Sequence, residues 1–178
     1  PNGFLMTRAA SAGRGTYTFI QAADEIQERM AELFLKLERP ALTDVALTWP
    51  LGGTHTVEVW PRPLPDLYAG EPLVALMKLN GAGPELKVSG HLGGRFWEQS
   101  VTITGGAAAP GVAGLWGREK IRQLMANMRT ASLHLEPKDA DAARVEIRRE
   151  IVDTALTLGL VSKFTSLVAV DSEQGRPA

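Results

Sequence analysis

Three histidines, His55, His91 and His134, are the residues of this chain best suited to catalysis or metal binding. Imidazole is a general base near neutral pH and a common zinc ligand. None of the three stands in the His-x-x-x-His or His-Glu-x-x-His spacing that places two ligands on one helix face. The fold would have to assemble any such site, and ordinary surface or packing roles are favoured for all three.

The sequence contains none of the common motifs for phosphate binding or nucleophilic catalysis. The glycine-rich segment 105–114 lacks Gly-x-Gly-x-x-Gly and Walker spacing, so a flexible connector is favoured over a phosphate loop. No serine stands in Gly-x-Ser-x-Gly. The chain has no cysteine, which removes thiolate catalysis, disulfides and cysteine metal sites. The sequence therefore predicts a protein that is not an enzyme, and assigns no catalytic, cofactor-binding or metal-binding residue.

Aromatic, basic and acidic side chains alternate with prolines in one short segment. The candidate ligand surface in this segment consists of Trp60, Arg62, Asp66 and Tyr68. Prolines at alternate positions between residues 61 and 65 do not make P-x-x-P, and they favour a stiff connection at a sheet edge. The four tryptophans of the chain are interpreted mainly as core residues.

The composition is that of a globular protein and argues against two classes of partner. The 178 residues carry a formal net charge of −1, with 44% hydrophobic and 22% charged residues. The charges are interspersed, without the basic surplus typical of nucleic-acid binding, and they give no reason to expect affinity for anionic lipid. No apolar run approaches the roughly 18 residues of a membrane span. The start at Pro1, without methionine or signal peptide, predicts a piece of a longer protein with any export signal upstream.

The first 40 residues predict one strand and one helix. Residues 16–20 form a short β-rich run, and residues 24–38 have helical periodicity ended by Pro40. The apolar stripe of this helix consists of Ile26, Met30, Leu33, Phe34 and Leu37. Burying such side chains is worth about 1.5–3 kcal/mol each, so we expect the helix to dock on the predicted sheet or on a second copy of the chain.

The remaining residues predict strands followed by helices. The strands are expected near residues 45–49, 55–60, 73–79 (a central strand), 86–92 and 97–103. Their close spacing and short turns favour an antiparallel β-sandwich. Helices over 114–129 and 139–158, a Gly159 cap and a final strand over 165–170 complete the prediction. The residues expected to lock the C-terminal segment into the core are Trp116, Phe164, Leu167 and Val170.

Three separated blocks resemble one known family. They are residues 64–73 (LPDLYAGEPL), 115–121 (LWGREKI) and 159–171 (GLVSKFTSLVAVD). The chain resembles the region directly after the von Willebrand factor type A domain in inter-α-trypsin inhibitor heavy chain-like (VIT/VWA) proteins, including bacterial surface proteins and sortase-target relatives. The resemblance implies an α+β fold, an antiparallel β-sandwich with packed helices, preceded by the last strand and helix of a type A α/β domain.

The resemblance also implies a domain organisation. Residues 1–40 would be the C-terminal strand and helix of a type A domain, and residues 41–106 the β-sandwich strands. Residues 107–178 would be a helical segment and final strand that complete the same domain.

The resemblance further implies a function. It predicts a non-enzymatic module that supports a type A adhesion domain of an exported protein at the cell surface. The expected partners are neighbouring type A and VIT domains, a host or matrix protein or glycan, and a second copy through helix 24–38. Type A domains bind Mg²⁺ through Asp-x-Ser-x-Ser, which is absent here, so no cofactor is expected in this fragment. The alternative is a direct protein- or glycan-binding module using the sandwich edge around residues 60–68.

Overall fold

The computed structural model describes residues 2–15, 17–38, 41–49, 56–68, 70–80, 85–103, 109–134 and 136–168. Within these residues the chain combines helices with antiparallel strands, which confirms the predicted α+β class. Contacts divide the chain into two compact units, Pro1–Ala107 and Ala108–Ala178. The assignment of residues 1–40 to a type A domain, and of 41–178 to one following domain, stays a prediction.

The first unit contains two helices and all six described strands. Its elements are α1 (Gly3–Ala12), a 3₁₀ turn (Ala23–Glu25), α2 (Ile26–Glu38), β1 (Ala41–Thr48), β2 (Thr56–Trp60), β3 (Leu67–Tyr68), β4 (Leu76–Asn80), β5 (Glu85–Leu92) and β6 (Arg95–Thr102). A four-stranded antiparallel sheet has the order β3-β1-β5-β6, and β2 pairs with β4 in a two-stranded sheet. The helix predicted over residues 24–38 and the strands predicted over 86–92 and 97–103 are confirmed.

Two strand predictions in this unit are wrong. Residues 17–20 belong to no helix or strand, because no described strand pairs with them. The run at 73–79 is not a central strand, since β4 begins at Leu76 and pairs with β2 alone among the described residues. Its apolar start fills the core from an irregular segment, in which Leu73 and Ala75 pack against the buried cluster.

The core of the first unit is centred on Leu42, Val45 and Leu64. Both sheets contribute to it: Val59 comes from β2 and Trp97 from β6. In β2 and β6 the alternation of inward and outward side chains explains this contribution, because every second residue faces the same side.

Gly90 lies at a close approach between β1 and β5. A Cβ at this buried position would lie 2.8 Å from both Leu42 Cγ and the carbonyl oxygen of Thr43. We expect Gly90→Ala to lower the free energy of unfolding by about 1–3 kcal/mol, because the strands must separate to accept the methyl group. Urea unfolding followed by circular dichroism measures this. Gly3→Ala, which meets open space, is the control; equal losses in the two variants would contradict the account.

The second unit is built from α3 (Pro110–His134) and α4 (Pro137–Leu158), which pack against each other. Ile151 is fully buried, and Ala155 lies on the same predicted apolar face of α4. Gly159 has φ 61° directly after α4, which confirms the predicted glycine cap. A Cβ at Gly117 would overlap the side chains of Leu158 and Leu160. The LWGREKI block and the residues around Gly159 are therefore in contact.

The strand predicted over residues 165–170 is wrong for its described part. Ser162 Oγ accepts a hydrogen bond from the Phe164 amide at 3.1 Å, and Thr165 Oγ1 donates to the carbonyl of Leu160 at 3.2 Å. These side-chain bonds turn the backbone instead of extending it. Residues 166–168 have no regular structure, and 169–170 lie outside the described residues.

The predicted locking residues have different environments. Trp116 is buried and Phe164 is half-buried. Leu167 is 74% exposed and does not lock the segment, so that prediction is wrong. Val170 lies outside the described residues.

Candidate functional site

Trp60 and Arg62 form a stacked pair at the end of β2. The Trp60 indole N–H donates to Glu58 Oε1 at 3.0 Å, and the indole is only 5% exposed. The Arg62 guanidinium carbon lies 5.2 Å from the centre of the indole ring, while Arg62 Nε donates to the carbonyl of Val59 at 2.8 Å. Trp60 is thus a core residue covered by Arg62, and it offers little surface to a ligand.

An open depression of about 450 Å³ adjoins this pair, with Trp49, Val57 and Arg62 among its lining residues. Most of its lining residues are aliphatic or aromatic, and Arg62 is the charged residue among them. Small-ligand sites usually combine an apolar lining with a few polar groups, although they are normally more enclosed.

Asp66 takes part in a different group of contacts, and these join the N-terminal segment to the sheet. Its Oδ1 accepts a hydrogen bond from the Asp44 amide at 3.1 Å, and its own amide donates to the carbonyl of Arg14 at 3.1 Å. Arg14 Nη1 also donates to Asp44 Oδ1 at 2.7 Å. His91 Nδ1 lies 3.6 Å from the other Asp44 oxygen. We call these four residues the Asp44 cluster.

The Asp44 cluster depends on a β-bulge that was not predicted. Asp44 has φ 54°, and the β1–β5 register shifts between Thr43 and Ala46. A bulge places one extra residue in a strand and redirects its side chain. The spacing of apolar residues in the sequence indicates this bulge. The inward residues Leu42 and Val45 are three positions apart, whereas an unbroken strand places residues of one face an even number of positions apart. Asp44 and His91 are both exposed, so this acid–base pair lacks the water-excluding pocket that catalysis normally uses.

Tyr68, the last of the predicted surface residues, contacts α2. The Lys36 ammonium lies 5.5 Å from the centre of the Tyr68 ring and forms an ion pair with Glu71. The four predicted surface residues therefore occupy three settings, and each has a partner within the chain. The structure brings Trp60 and Arg62 together, and it gives Asp66 and Tyr68 contacts of their own.

The other two histidines cannot be placed in a site. His55 and the His134 side chain lie outside the described residues. Among the residues that are described, no group of three histidine or carboxylate side chains has the arrangement of a metal site. The helices in the described ranges also include none with the length and apolarity of a membrane span.

Lys87 and Glu98 link the outer face of β5 to β6. Lys87 Nζ donates to Glu98 Oε1 at 3.0 Å, and this hydrogen bond, helped by charge attraction, raises the pKa of Lys87 above 10.5. A lysine whose pKa is higher in the folded than in the unfolded state stabilises the fold while the pH is below the unfolded-state pKa. This contribution is lost as the pH rises through the folded-state pKa. The stability that this raised pKa contributes is therefore present across the neutral range and is lost in alkali.

The second unit contains a buried lysine. Lys120 Nζ lies 2.8 Å from Glu150 Oε1 on α4 and 5.2 Å from the centre of the Trp116 ring. The Lys120 side chain is buried, whereas that of Glu150 is 44% exposed. This arrangement satisfies the charge within the helix pair, so a structural role is favoured over a chemical one.

Replacing Glu150 should lower the free energy of unfolding more than replacing Lys120. We expect Glu150→Gln to lower the free energy of unfolding by about 1–3 kcal/mol, because the buried ammonium loses its carboxylate. Lys120→Met keeps the volume and removes the buried charge, so its cost should stay under about 1.5 kcal/mol. Thermal and urea unfolding of both variants measure the difference. A larger loss for Lys120→Met would contradict this account.

The N-terminal segment presents an open groove. It has a volume of about 700 Å³ and is lined by residues 17–19, by one side of α2 and by Gly70 and Glu71. Phe34 on α2 is 56% exposed, and Ile26, Tyr17 and Phe19 are exposed as well. The predicted docking of the α2 stripe on the sheet is therefore wrong for Ile26 and Phe34, while the Leu37 side chain lies outside the described residues. The ion pair between Lys36 and Glu71 connects α2 to residue 71.

Comparison with known proteins points in one direction. The chain is similar to von Willebrand factor A domain-containing protein 5A of human (22% identical), rat (24%) and mouse (22%), in each case over 97% of this chain. It spans only 21–22% of the length of these relatives. No protein-family model matches the chain, and no solved structure matches it. The similarity marks the chain as distantly related to part of a protein that contains a von Willebrand factor type A domain.

Proposed function

We propose that this chain is a non-enzymatic module that supports a type A adhesion domain in an exported, surface-associated protein. The observation that carries the proposal is the similarity over 97% of the chain to proteins named for a von Willebrand factor A domain. Such a relationship favours a role in interaction. A non-enzymatic role also agrees with the charged residues that the structure describes, which are paired or solvated.

The exposed N-terminal segment supports the same proposal. Residues 17–20 are β-rich but belong to no sheet, and α2 next to them exposes Ile26 and Phe34. An amphipathic helix normally covers its apolar stripe. We propose that residues 1–40 complete a type A domain whose other strands and helices lie elsewhere in the parent protein. Those strands would pair with residues 17–20 and cover α2.

The sheets of the first unit would then form the supporting part. The four-stranded and two-stranded sheets share one core, which supports an antiparallel sandwich. Arg14 and Lys36 connect the N-terminal segment to this part through Asp44 and Glu71. These ion pairs would fix the orientation of the type A domain. Any Mg²⁺ would be bound by the parent's type A domain, with neighbouring type A and VIT domains as partners.

Sequencing the reading frame upstream of Pro1 tests this function. The proposal predicts an apolar strand followed by Asp-x-Ser-x-Ser, and a signal peptide further upstream. A frame that encodes neither would overturn both the type A assignment and the exported location.

The alternative proposal is direct binding of a protein or glycan near residues 60–68. The depression beside Arg62 favours it, and the burial of Trp60 counts against it. Titration of the chain with glycans or matrix proteins, monitored by tryptophan fluorescence, distinguishes the two. A response that Arg62→Ala abolishes would favour the alternative.

A further inference from the structure

The β6 strand forms an edge of the four-stranded sheet, and its protection is limited to the charged residues Arg95 and Glu98. Within the described part of the chain it pairs with β5 alone, through consecutive residue pairs from Glu85↔Thr102 to Leu92↔Arg95 without a bulge. It contains no proline and no lysine, and only Trp97 is not exposed. Edge strands of monomeric proteins usually carry such residues, because free N–H and C=O groups invite pairing.

The opposite edge of the same sheet is different. There β3 consists of Leu67 and Tyr68 only, and it follows a segment with prolines at alternate positions from 61 to 65. A two-residue strand offers very little backbone for another chain to pair with. Of the two edges of this sheet, the structure thus leaves β6 as the one suited to accept a strand.

The hairpin turn determines which backbone groups of β6 are free. Gly93 and Gly94 have φ 57° and 79°, the conformation of a two-residue type I′ turn. The flanking residues Leu92 and Arg95 then form a hydrogen-bonded pair, and such pairs alternate along the ladder. The amides and carbonyls of the even-numbered residues, from Phe96 to Thr102, therefore point to the free edge.

We propose that β6 pairs antiparallel with β6 of a second copy of this chain, about a two-fold axis at Gln99. Facing residues of two antiparallel strands lie on the same side of the sheet. A two-fold axis must therefore pass at a residue, and the two registers that use nearly the whole strand are centred on Glu98 and on Gln99. A register centred on Glu98 would place two glutamates directly opposite each other, which is unfavourable. The register centred on Gln99 avoids this.

The side chains fit the Gln99 register on both faces. On the inner face Trp97 lies opposite Val101 of the partner copy, so the 43% exposed Val101 gains an aromatic neighbour. On the outer face Glu98 lies opposite Ser100, and Phe96 opposite Thr102. Aromatic–β-branched pairs stabilise antiparallel strands. The two sheets then join into one continuous sheet, and both free edges are covered.

A single cysteine tests the register, because the chain has none of its own. In Gln99→Cys the two sulfurs meet on the axis, where facing Cα atoms are about 4.5 Å apart, within disulfide range. In the control Val101→Cys, on the same strand and face, the two cysteines lie roughly 13 Å apart. Under mild oxidation we expect the Gln99→Cys dimer to form at least about tenfold faster. Equal rates would overturn the proposal.

Sedimentation equilibrium tests the dimer without cross-linking. The unmodified chain should approach twice its 19.2 kDa as its concentration rises. Ser100→Glu places a carboxylate opposite Glu98 of the partner copy at two positions, and should raise the dimer dissociation constant about tenfold. Within its own sheet this residue faces Lys87, so the hairpin keeps its fold. Ser100→Lys, which places an ammonium opposite Glu98 of the partner copy, should weaken the dimer clearly less than Ser100→Glu does.

Two results would contradict the β6 dimer. A chain that stays monomeric at all concentrations leaves the edge to a strand of another protein and overturns the proposal. A dimer that is insensitive to the sign of the charge at residue 100 is held by another surface, such as α2. In that case Phe34→Asp should dissociate it, whereas a β6 dimer should be unaffected by that change.

Discussion

Replacing Ile151 by alanine is expected to lower the free energy of unfolding of the helical unit by about 2–5 kcal/mol. Ile151 is the largest side chain in the described residues with no exposed surface, and it lies on α4, which packs against α3. The loss combines the hydrophobic contribution of the removed methylenes with the cost of the cavity that they leave. Urea unfolding followed at 222 nm measures it.

Val145→Ala on the same helix is the matched control, since Val145 is 69% exposed. Its effect should stay within about 0.5 kcal/mol. Equal losses for the two variants would mean that α3 and α4 do not pack through Ile151. That result would contradict the described core of the second unit.

Replacing Trp60 by alanine is expected to cost about 3–5 kcal/mol, because a buried indole leaves a large cavity. The change also removes the hydrogen bond to Glu58 and the stacking surface for Arg62. Chemical unfolding of the chain measures the loss. Trp60→Phe, which keeps an aromatic ring, should cost clearly less.

Arg62→Ala tests the contribution of the residue that covers Trp60 separately from the packing of Trp60 itself. It leaves the indole in place and removes the covering guanidinium, whose cation–π contact is worth about 0.5–1 kcal/mol, together with the hydrogen bond to the carbonyl of Val59. A Trp60→Ala variant that is as stable as the unmodified chain would show that Trp60 belongs to a ligand surface and not to the core.

Local patterns predicted the elements whose partners are close in sequence. Helical spacing located α2 and α4, and strict alternation located β5 and β6, because these periods follow from backbone geometry alone. The same reasoning failed at residues 17–20, where β-rich residues have no described partner strand. It also failed at 165–168, where Ser162 and Thr165 form hydrogen bonds that favour a turn.

The candidate surface could be predicted only as a set of residue types. The sequence placed Trp60, Arg62, Asp66 and Tyr68 near one another, but not the burial of Trp60, which depends on how β2 meets the core. The Asp44 cluster joins residues far apart in sequence, so only the fold could assemble it. Its bulge, however, was present in the spacing of Leu42 and Val45.

Amide hydrogen exchange across α2 tests the central claim most directly. It would be compared between the 178-residue chain and a polypeptide extended by the reading frame that precedes Pro1. If residues 1–40 complete a type A domain, exchange in α2 should slow at least about tenfold in the longer polypeptide, while α4 stays unchanged as an internal control. Identical exchange of α2 in both polypeptides would contradict the claim.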